Sequence, residues 1–265
     1  MTSSPRRTVG VIGGSGITTL FTDGSARPHR IATPWGAPSG PIEEGAIGGM
    51  RVLFVPRHGA GHTIPPHRIN YRANIDALRE LGAEAIVTMS SVGSLKEELA
   101  PGTFVLPSQF VDLTKQRPTT FFDGGQVYHV SLADPFCPDL TRTAIAVGRE
   151  VGIPFVEGKT YVCIEGPRFS TRAESLHFRT FADIIGMTLV PEVTLARERA
   201  ICFLSLAMVT DYDVWAERPV DTQEILSTMR ANADRMSRLL SALLPRLGTP
   251  PTCECAHALD HAGVG

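Results

Sequence analysis

The chain has 265 residues, 43% hydrophobic and 20% charged, with a formal net charge of −2. That composition excludes a disordered chain, and without a dense Lys/Arg cluster it excludes a surface built to bind nucleic acid by counter-charge. Met1 to Arg7 is polar and basic, and the apolar run after it is one strand long, far short of the ~18 residues of a membrane span. A cytoplasmic location, with no membrane partner and no nucleic-acid partner, is therefore expected.

The predicted elements alternate between strand and helix. Arg7 to Ile12 reads as a first strand and runs into Gly13-Gly14-Ser15-Gly16, a loop whose glycines let backbone approach an anion closely. Arg51 to Val55 reads as a second strand, ending in Pro56-Arg57-His58-Gly59. The spacing of Ala73, Ala77, Leu78 and Leu81 predicts a helix over 69–81, stopped by Gly82. Ala85 to Met89 is a third strand, opening into Ser90-Ser91-Val92-Gly93-Ser94. The segment 101–135 reads as loop-rich. Strands are expected at 160–164 and 183–187, and Thr171 to Glu174 fits a capping box that starts a helix. Pro191 suits the first position of the next helix. Ile201 to Val209 is apolar throughout, the mark of a buried strand. Asp221 to Glu224 is a second capping-box match, opening a last helix to about Leu247 with Ile225, Leu226, Met229, Ala233, Met236, Leu240 and Leu243 as its apolar stripe. The order is that of one α/β domain around a largely buried mixed sheet.

Five cysteines are present: Cys137, Cys163, Cys202, Cys253 and Cys255. The first three read as free thiols of a reducing compartment. Cys253-Glu254-Cys255 lacks a second ligand pair at metal-binding spacing, although His257 and His261 lie nearby, so no metal is expected and the tail after Gly248 reads as loosely held.

Two groups of residues carry chemistry. Thr210-Asp211-Tyr212-Asp213 follows the last buried strand and sets two carboxylates two residues apart, a spacing at which an extended chain points both the same way. Acids just beyond a central strand lie where α/β sheets bind ligands. A carboxyl there accepts hydrogen bonds, or donates a proton if its pKa is raised. The second group is a set of anion-binding types at strand ends: Ser15, Arg57, His58, Ser90, Ser91 and Thr188. Arg offers a planar fork for phosphate oxygens, and hydroxyls offer short neutral donors. The chain has no GxxxxGK[ST], and its Gly-rich loop does not complete a dinucleotide fingerprint.

These segments resemble a known family in content and order. Gly13-Gly14-Ser15-Gly16, Pro56-Arg57-His58-Gly59, Asn70-Tyr71-Arg72-Ala73-Asn74, Val92-Gly93-Ser94-Leu95, Ala133-Asp134-Pro135-Phe136-Cys137, Glu165-Gly166-Pro167-Arg168-Phe169-Ser170, Gly186-Met187-Thr188-Leu189-Val190-Pro191-Glu192 and Thr210-Asp211-Tyr212-Asp213 are similar to motifs of the trimeric purine nucleoside phosphorylases, in their 5'-methylthioadenosine phosphorylase branch. The resemblance spans roughly residues 8–245. It implies one nucleoside phosphorylase domain over residues 1–248, with a central mixed, partly barrel-like sheet flanked by helices, and a Pro- and Cys-containing tail over 249–265.

The implied activity is that of a pentosyltransferase: phosphorolysis of 5'-methylthioadenosine to adenine and 5-methylthioribose 1-phosphate, a salvage reaction. Inorganic phosphate is a co-substrate and no cofactor is needed. The resemblance assigns phosphate binding to Ser15, Arg57, His58, Ser90, Ser91 and Thr188. Met187 is placed against the ribose, Phe169 along the base and Ser170 beside it. Asp211 assists the leaving purine at N7, and Asp213 accepts from the 6-amino group or holds Asp211. An acid at 211, where relatives acting on inosine or guanosine carry Asn, selects 6-aminopurines. Thr222, Ile225 and Leu226 match the wall of the 5'-substituent pocket, although their spacing alone also fits core packing. His62 and His129 match histidines near the ribose and the subunit boundary. A homotrimer or a pair of trimers is implied. Other 5'-deoxyadenosines or adenosine as substrates, and a non-catalytic nucleoside-binding protein, are the alternatives.

Overall fold

The computed structural model describes residues 7–14, 17, 19–21, 24–216, 221–248 and 252–264. Strands β1 (Thr8–Gly13), β2 (Arg27–His29), β3 (Ile42–Ile47) and β4 (Met50–Pro56) come first, then helix α1 (Tyr71–Glu80). Strands β5 (Ala83–Ser94), β6 (Phe104–Leu113) and β7 (Val127–Tyr128) precede α2 (Pro138–Glu150). The chain continues through β8 (Phe155–Ile164), α3 (Arg172–Phe178), β9 (Ile184–Gly186), α4 (Leu189–Glu198) and β10 (Cys202–Asp211). It ends with α5 (Thr222–Leu243) and β11 (Gly263–Val264).

Nine strands form one mixed sheet in the order β10-β6-β8-β9-β5-β1-β4-β3-β2, and β10 also pairs with β5. That second pairing closes β10, β6, β8, β9 and β5 into a barrel, with β1, β4, β3 and β2 extending from it as an open sheet. The architecture is the α/β, partly barrel-like one expected. Both faces of the sheet are covered. Ile12, Leu53, Val55 and Ile86 pack on one side with Ile75 and Leu78 of α1 and Val193 of α4. Val9, Val11, Phe54 and Val87 pack on the other with Leu140 of α2 and Met236, Leu240 and Leu243 of α5. Double coverage explains why β1 and β10 are buried along their whole length and mostly apolar rather than alternating.

Local signals set several boundaries. Asn70 caps α1 by accepting from the Ala73 N–H, and Thr171 and Glu174 form the full capping box that opens α3. At α5 the cap is simpler than the expected box: Asp221 accepts from the N–H of Gln223, the second helical residue, at 2.9 Å rather than from that of Glu224. The segment read as loop-rich contains the ten-residue β6, which pairs with β8 through an irregular register around Pro107. The tail is held rather than loose. Cys255 and Ala262 are buried, β11 pairs with β7, and the His129 N–H donates to the Ala262 carbonyl at 2.8 Å.

Candidate active site

Strand β5 makes room for the site. One of its edges pairs with β10 from Ala85 onward. The other edge pairs with β1 up to Thr88 and with β9 only from Gly93. Between those partners, residues 89–92 face no strand on that side. A cavity of about 920 Å³ opens there. It is lined by Arg57, His58, His62, Ser90, Ser91, Phe169, Ser170, Met187, Thr188, Asp211, Asp213, Thr222, Ile225 and Leu226, together with residues that sequence reading did not select, Val92, Gly93, Ile164 and Thr210 among them. Ser15 lies outside the described residues. His129 lines a different cavity, against the C-terminal tail.

At one end, Arg57 follows β4 and is 1% exposed. Its fork does not face the open space. Nε donates to Glu192 Oε1 at 2.6 Å and Nη2 to Glu192 Oε2 at 3.0 Å. Nη2 also donates to Thr88 Oγ1, which itself donates to Glu192 Oε2 at 2.9 Å, and Nη1 donates to the Met89 carbonyl at 2.8 Å. A guanidinium carries five N–H groups, so a single Nη1 hydrogen is left for a ligand. The expectation of a bidentate arginine clamp is corrected on this point: the bidentate face belongs to Glu192, which lies 135 residues away along the chain. Gly14 lies against this array. A Cβ there would stand 2.9 Å from Arg57 Nη1 and 2.4 Å from the Met89 carbonyl oxygen.

The remaining donors at this end are unspent. The Ser90 hydroxyl, beside the buried Tyr161 ring, is buried without a well-formed hydrogen bond, as is the Ser170 hydroxyl elsewhere in the cavity lining. Thr188 precedes α4 without capping it. A buried hydroxyl left unpaired is costly, and a ligand oxygen relieves the cost. His58 stacks on His62 with ring centroids 4.1 Å apart. Its Nδ1–H donates to the Ile64 carbonyl at 2.8 Å, which leaves Nε2 as the acceptor of a neutral ring. Burial first, and then the nearby Arg57 charge, lower its pKa to about 4.

The other end is acidic. Strand alternation does not bring Asp211 and Asp213 together, because β10 stops at Asp211 and Asp213 begins a short 3₁₀ turn at φ 51°. That left-handed backbone is unusual for a residue with a side chain and turns the second acid back into the cavity. The turn is pinned by the Asp213 N–H, which donates to Asp211 Oδ1 at 2.8 Å. Thr210 Oγ1 donates to Asp211 Oδ2 at 2.7 Å, and the Ser175 hydroxyl donates to Asp213. Gly93 leaves space for the pair: a Cβ there would sit 3.0 Å from Asp211 Oδ1 and 3.2 Å from the Asp213 Cβ. Burial raises the Asp211 pKa to about 6 against the two hydrogen bonds that lower it. Burial also raises that of Asp213. Thus a proton and an acceptor are both available near neutral pH.

The other walls are apolar. Ile185, beside Gly93 at the acidic end, lines the cavity with Ile164 and Met187, Phe169 is 39% exposed, and Ile225 and Leu226 project from the first turns of α5. Leu226 is 37% exposed, whereas Met229, Met236, Leu240 and Leu243 on the same stripe are buried. The stripe therefore divides: Met236, Leu240 and Leu243 are core, Ile225 and Leu226 are cavity wall with the buried Met229 behind them, and Ala233, expected on the stripe, is exposed.

A sequence profile of the phosphorylase superfamily matches residues 8–245. The chain belongs to the phosphorylase superfamily. Among its relatives, the S-methyl-5'-thioadenosine phosphorylase of Thermofilum pendens is 54% identical over 255 residues, covering 96% of this chain and 97% of the relative. That of Pyrococcus furiosus is 52% identical over 251 residues, covering 95% and 97%. Among solved structures, a methylthioadenosine phosphorylase from Schistosoma mansoni in complex with adenine superposes with a TM-score of 0.90 at 36% identity, covering 96% of each chain. Within the superfamily fold, the cavity lies between hydroxyls at one end and paired carboxylates at the other. Thr88 and Ser175 escaped sequence reading, and Glu192 stood in a motif without a role, because none of the three sits in a motif with the Arg57 or Asp213 that it holds.

Proposed function

We propose that the protein catalyses phosphorolysis of 5'-methylthioadenosine, and that the observation carrying this reading is the buried Asp211 carboxyl, with a pKa raised to about 6, across one cavity from the hydroxyl-rich end. Phosphate occupies that end, donated to by Ser90, Ser91, Thr188 and the remaining Arg57 hydrogen, while His58, whose Nε2 is an acceptor, can only take a hydrogen bond from a protonated phosphate oxygen. A phosphate oxygen bonds to the anomeric carbon as the bond from that carbon to purine N9 breaks. The electron pair moves into the purine, and Asp211 delivers the proton to N7. No side chain acts as nucleophile, so the protein supplies position and electrostatic stabilisation. No organic cofactor and no catalytic metal takes part. Asp213 accepts from the 6-amino group, and a 6-oxopurine leaves that acceptor unpaired. Phe169 lies along the base, Met187 against the ribose, and Ile225 and Leu226 bury the methylthio group.

The relatives' names support the methylthio substrate. The exposed hydroxyl of Thr222 in the 5' wall supports a second reading, activity on adenosine. One of the Schistosoma mansoni structures is described as an adenosine/methylthioadenosine phosphorylase. Because His129 lines another cavity of its own chain, its ribose-side role requires a neighbouring copy, in keeping with a homotrimer. The test is turnover of methylthioadenosine, adenosine and inosine with and without phosphate, beside sedimentation of the active species. Adenine release that needs no phosphate, equal rates on inosine, or an active monomer each overturn a part of the proposal.

A further inference from the structure

At the far side of the barrel four cysteines converge from four positions in the chain. Cys137 precedes α2, Cys202 opens β10, and Cys253 and Cys255 flank Glu254 in the tail. Their four sulfurs all lie within 4.8 Å of one another, none is bonded to another, and Cys137, Cys202 and Cys255 are buried. Cys253 Sγ is 3.5 Å from both Cys137 Sγ and Cys202 Sγ. A zinc ion with Zn–S bonds of about 2.3 Å holds its four sulfurs at the corners of a tetrahedron with edges of about 3.8 Å. The spacing expected of a metal site is missing from the sequence because two ligands come from the tail and two from separate elements of the core.

We propose that Cys137, Cys202, Cys253 and Cys255 form a structural zinc site that fastens the C-terminal tail to the core. Three further observations favour it. Zinc held by four thiolates carries a net charge of −2, and Arg7, 5% exposed, donates from Nη2 to Cys202 Sγ at 3.1 Å. A buried guanidinium aimed at sulfur has its natural partner in thiolate. The chain itself holds the ligand loop in place: the Thr252 N–H donates to Asp139 Oδ2 at 2.6 Å, and the Cys137 N–H to the Phe203 carbonyl at 2.9 Å. The site also has an entry path, since Cys253 and Cys255 line an open cavity. On binding, four thiols lose their protons to solvent and four Zn–S bonds form, with no change of oxidation state.

The site stands apart from the nucleoside cavity. Cys202 and Asp211 are at opposite ends of β10, about 30 Å apart at ~3.3 Å per residue. The ion is therefore structural and closed, with no position left for substrate.

The test uses the full chain, purified without oxygen or chelator from zinc-containing medium. Elemental analysis is expected to find about one zinc per chain, released only by a thiol-reactive mercurial or by denaturation. Cys253→Ser/Cys255→Ser should lose at least ~90% of the zinc and lower the Tm by at least ~5 °C, while phosphorolysis at a temperature well below the Tm stays within about twofold. Should that variant fail to fold, Co²⁺ added to zinc-stripped wild-type protein reads the site directly, giving the intense visible bands of tetrahedral thiolate cobalt that Zn²⁺ then abolishes. A native mass lower by four hydrogens, showing two disulfides, overturns the proposal. So does zinc retained in the double variant, or the absence of cobalt bands in reduced protein.

Discussion

The acidic end of the cavity, proposed to take the purine, and the α5 wall, proposed to take the 5' substituent, are built on opposite terms. Asp211 and Asp213 are buried, hydrogen-bonded from Thr210, Ser175 and the backbone, and raised in pKa. Ile225 and Leu226 are partly exposed, apolar and carried on the first turns of a helix. Buried polar groups discriminate sharply, because a mismatched partner leaves an unpaired donor or acceptor in a dry site. Apolar walls discriminate by degrees, at roughly 0.8 kcal/mol for each buried CH₂. The base should therefore be selected strictly and the 5' substituent loosely.

The largest expected effect tests the strict end. Asp211→Asn removes the proton that the proposed mechanism delivers to N7 while leaving a side chain of the same shape. Methylthioadenosine kcat/KM should fall ~100-fold or more, with relative activity shifting toward inosine, whose O6 can accept from the amide. Unchanged relative rates on the two nucleosides would remove Asp211 from that role.

Next in size is Glu192→Gln. It leaves Arg57, 1% exposed, without its bidentate partner, and breaking a buried pair of this kind typically costs about 3–5 kcal/mol. Denaturant unfolding should report that loss, and the phosphate KM should rise ~10-fold or more while the nucleoside KM moves much less. A stable variant with an unaltered phosphate KM would mean that the pair neither holds the fold nor positions Arg57.

A smaller effect follows from the titration of Asp211. Its folded pKa of about 6 lies above the ordinary 3.8. The folded state thus holds the proton more tightly, and the stability this contributes is complete below about pH 4 and is lost as pH rises through 6. Above pH 6 the buried charge costs about 2–3 kcal/mol, which Asp211→Asn does not incur. The inactive variant should accordingly be more stable than the parent at pH 8, with the gap closing toward pH 4. A gap that stays constant with pH would contradict the burial argument.

The smallest effect tests the loose end. Thr222→Val removes the hydroxyl in the 5' wall and should widen the preference for methylthioadenosine over adenosine by ~3- to 10-fold. Equal kcat/KM values in parent and variant would take the first turn of α5 out of the 5' pocket.

Much of this contrast was legible in the sequence, and the unread part has physical causes. Strand β10 showed itself as an unbroken apolar run because both its faces are covered, and the acid pair was visible at its end. The reason those acids converge was not, since it is the left-handed backbone of Asp213 rather than strand alternation. Strand β6 was obscured by Pro107 and by the exposed Ser108 and Gln109, which interrupt its apolar pattern. Helix α2 escaped notice because Thr141, Arg142 and Thr143 dilute its stripe. Partners such as Glu192 for Arg57, or Cys202 for Cys253, depend on elements folding together across 135 and 51 residues, and no local period records such a meeting. The first turn of α5 was ambiguous because helical spacing describes a wall and a core equally well.

The pairing of β10 with β5 also bears on how the protein behaves in a crowded solution. A sheet of nine strands ordinarily presents two unpaired borders, each a template on which another chain's strand can add. Here one border is consumed by closure. The other is β2, only three residues long, Arg27-Pro28-His29, in which proline offers no N–H and arginine brings charge. Resistance to intermolecular strand addition therefore rests on very few residues. Replacing Arg27 and Pro28 by β-branched residues would turn a blunt border into an adhesive one, with no change to the catalytic cavity.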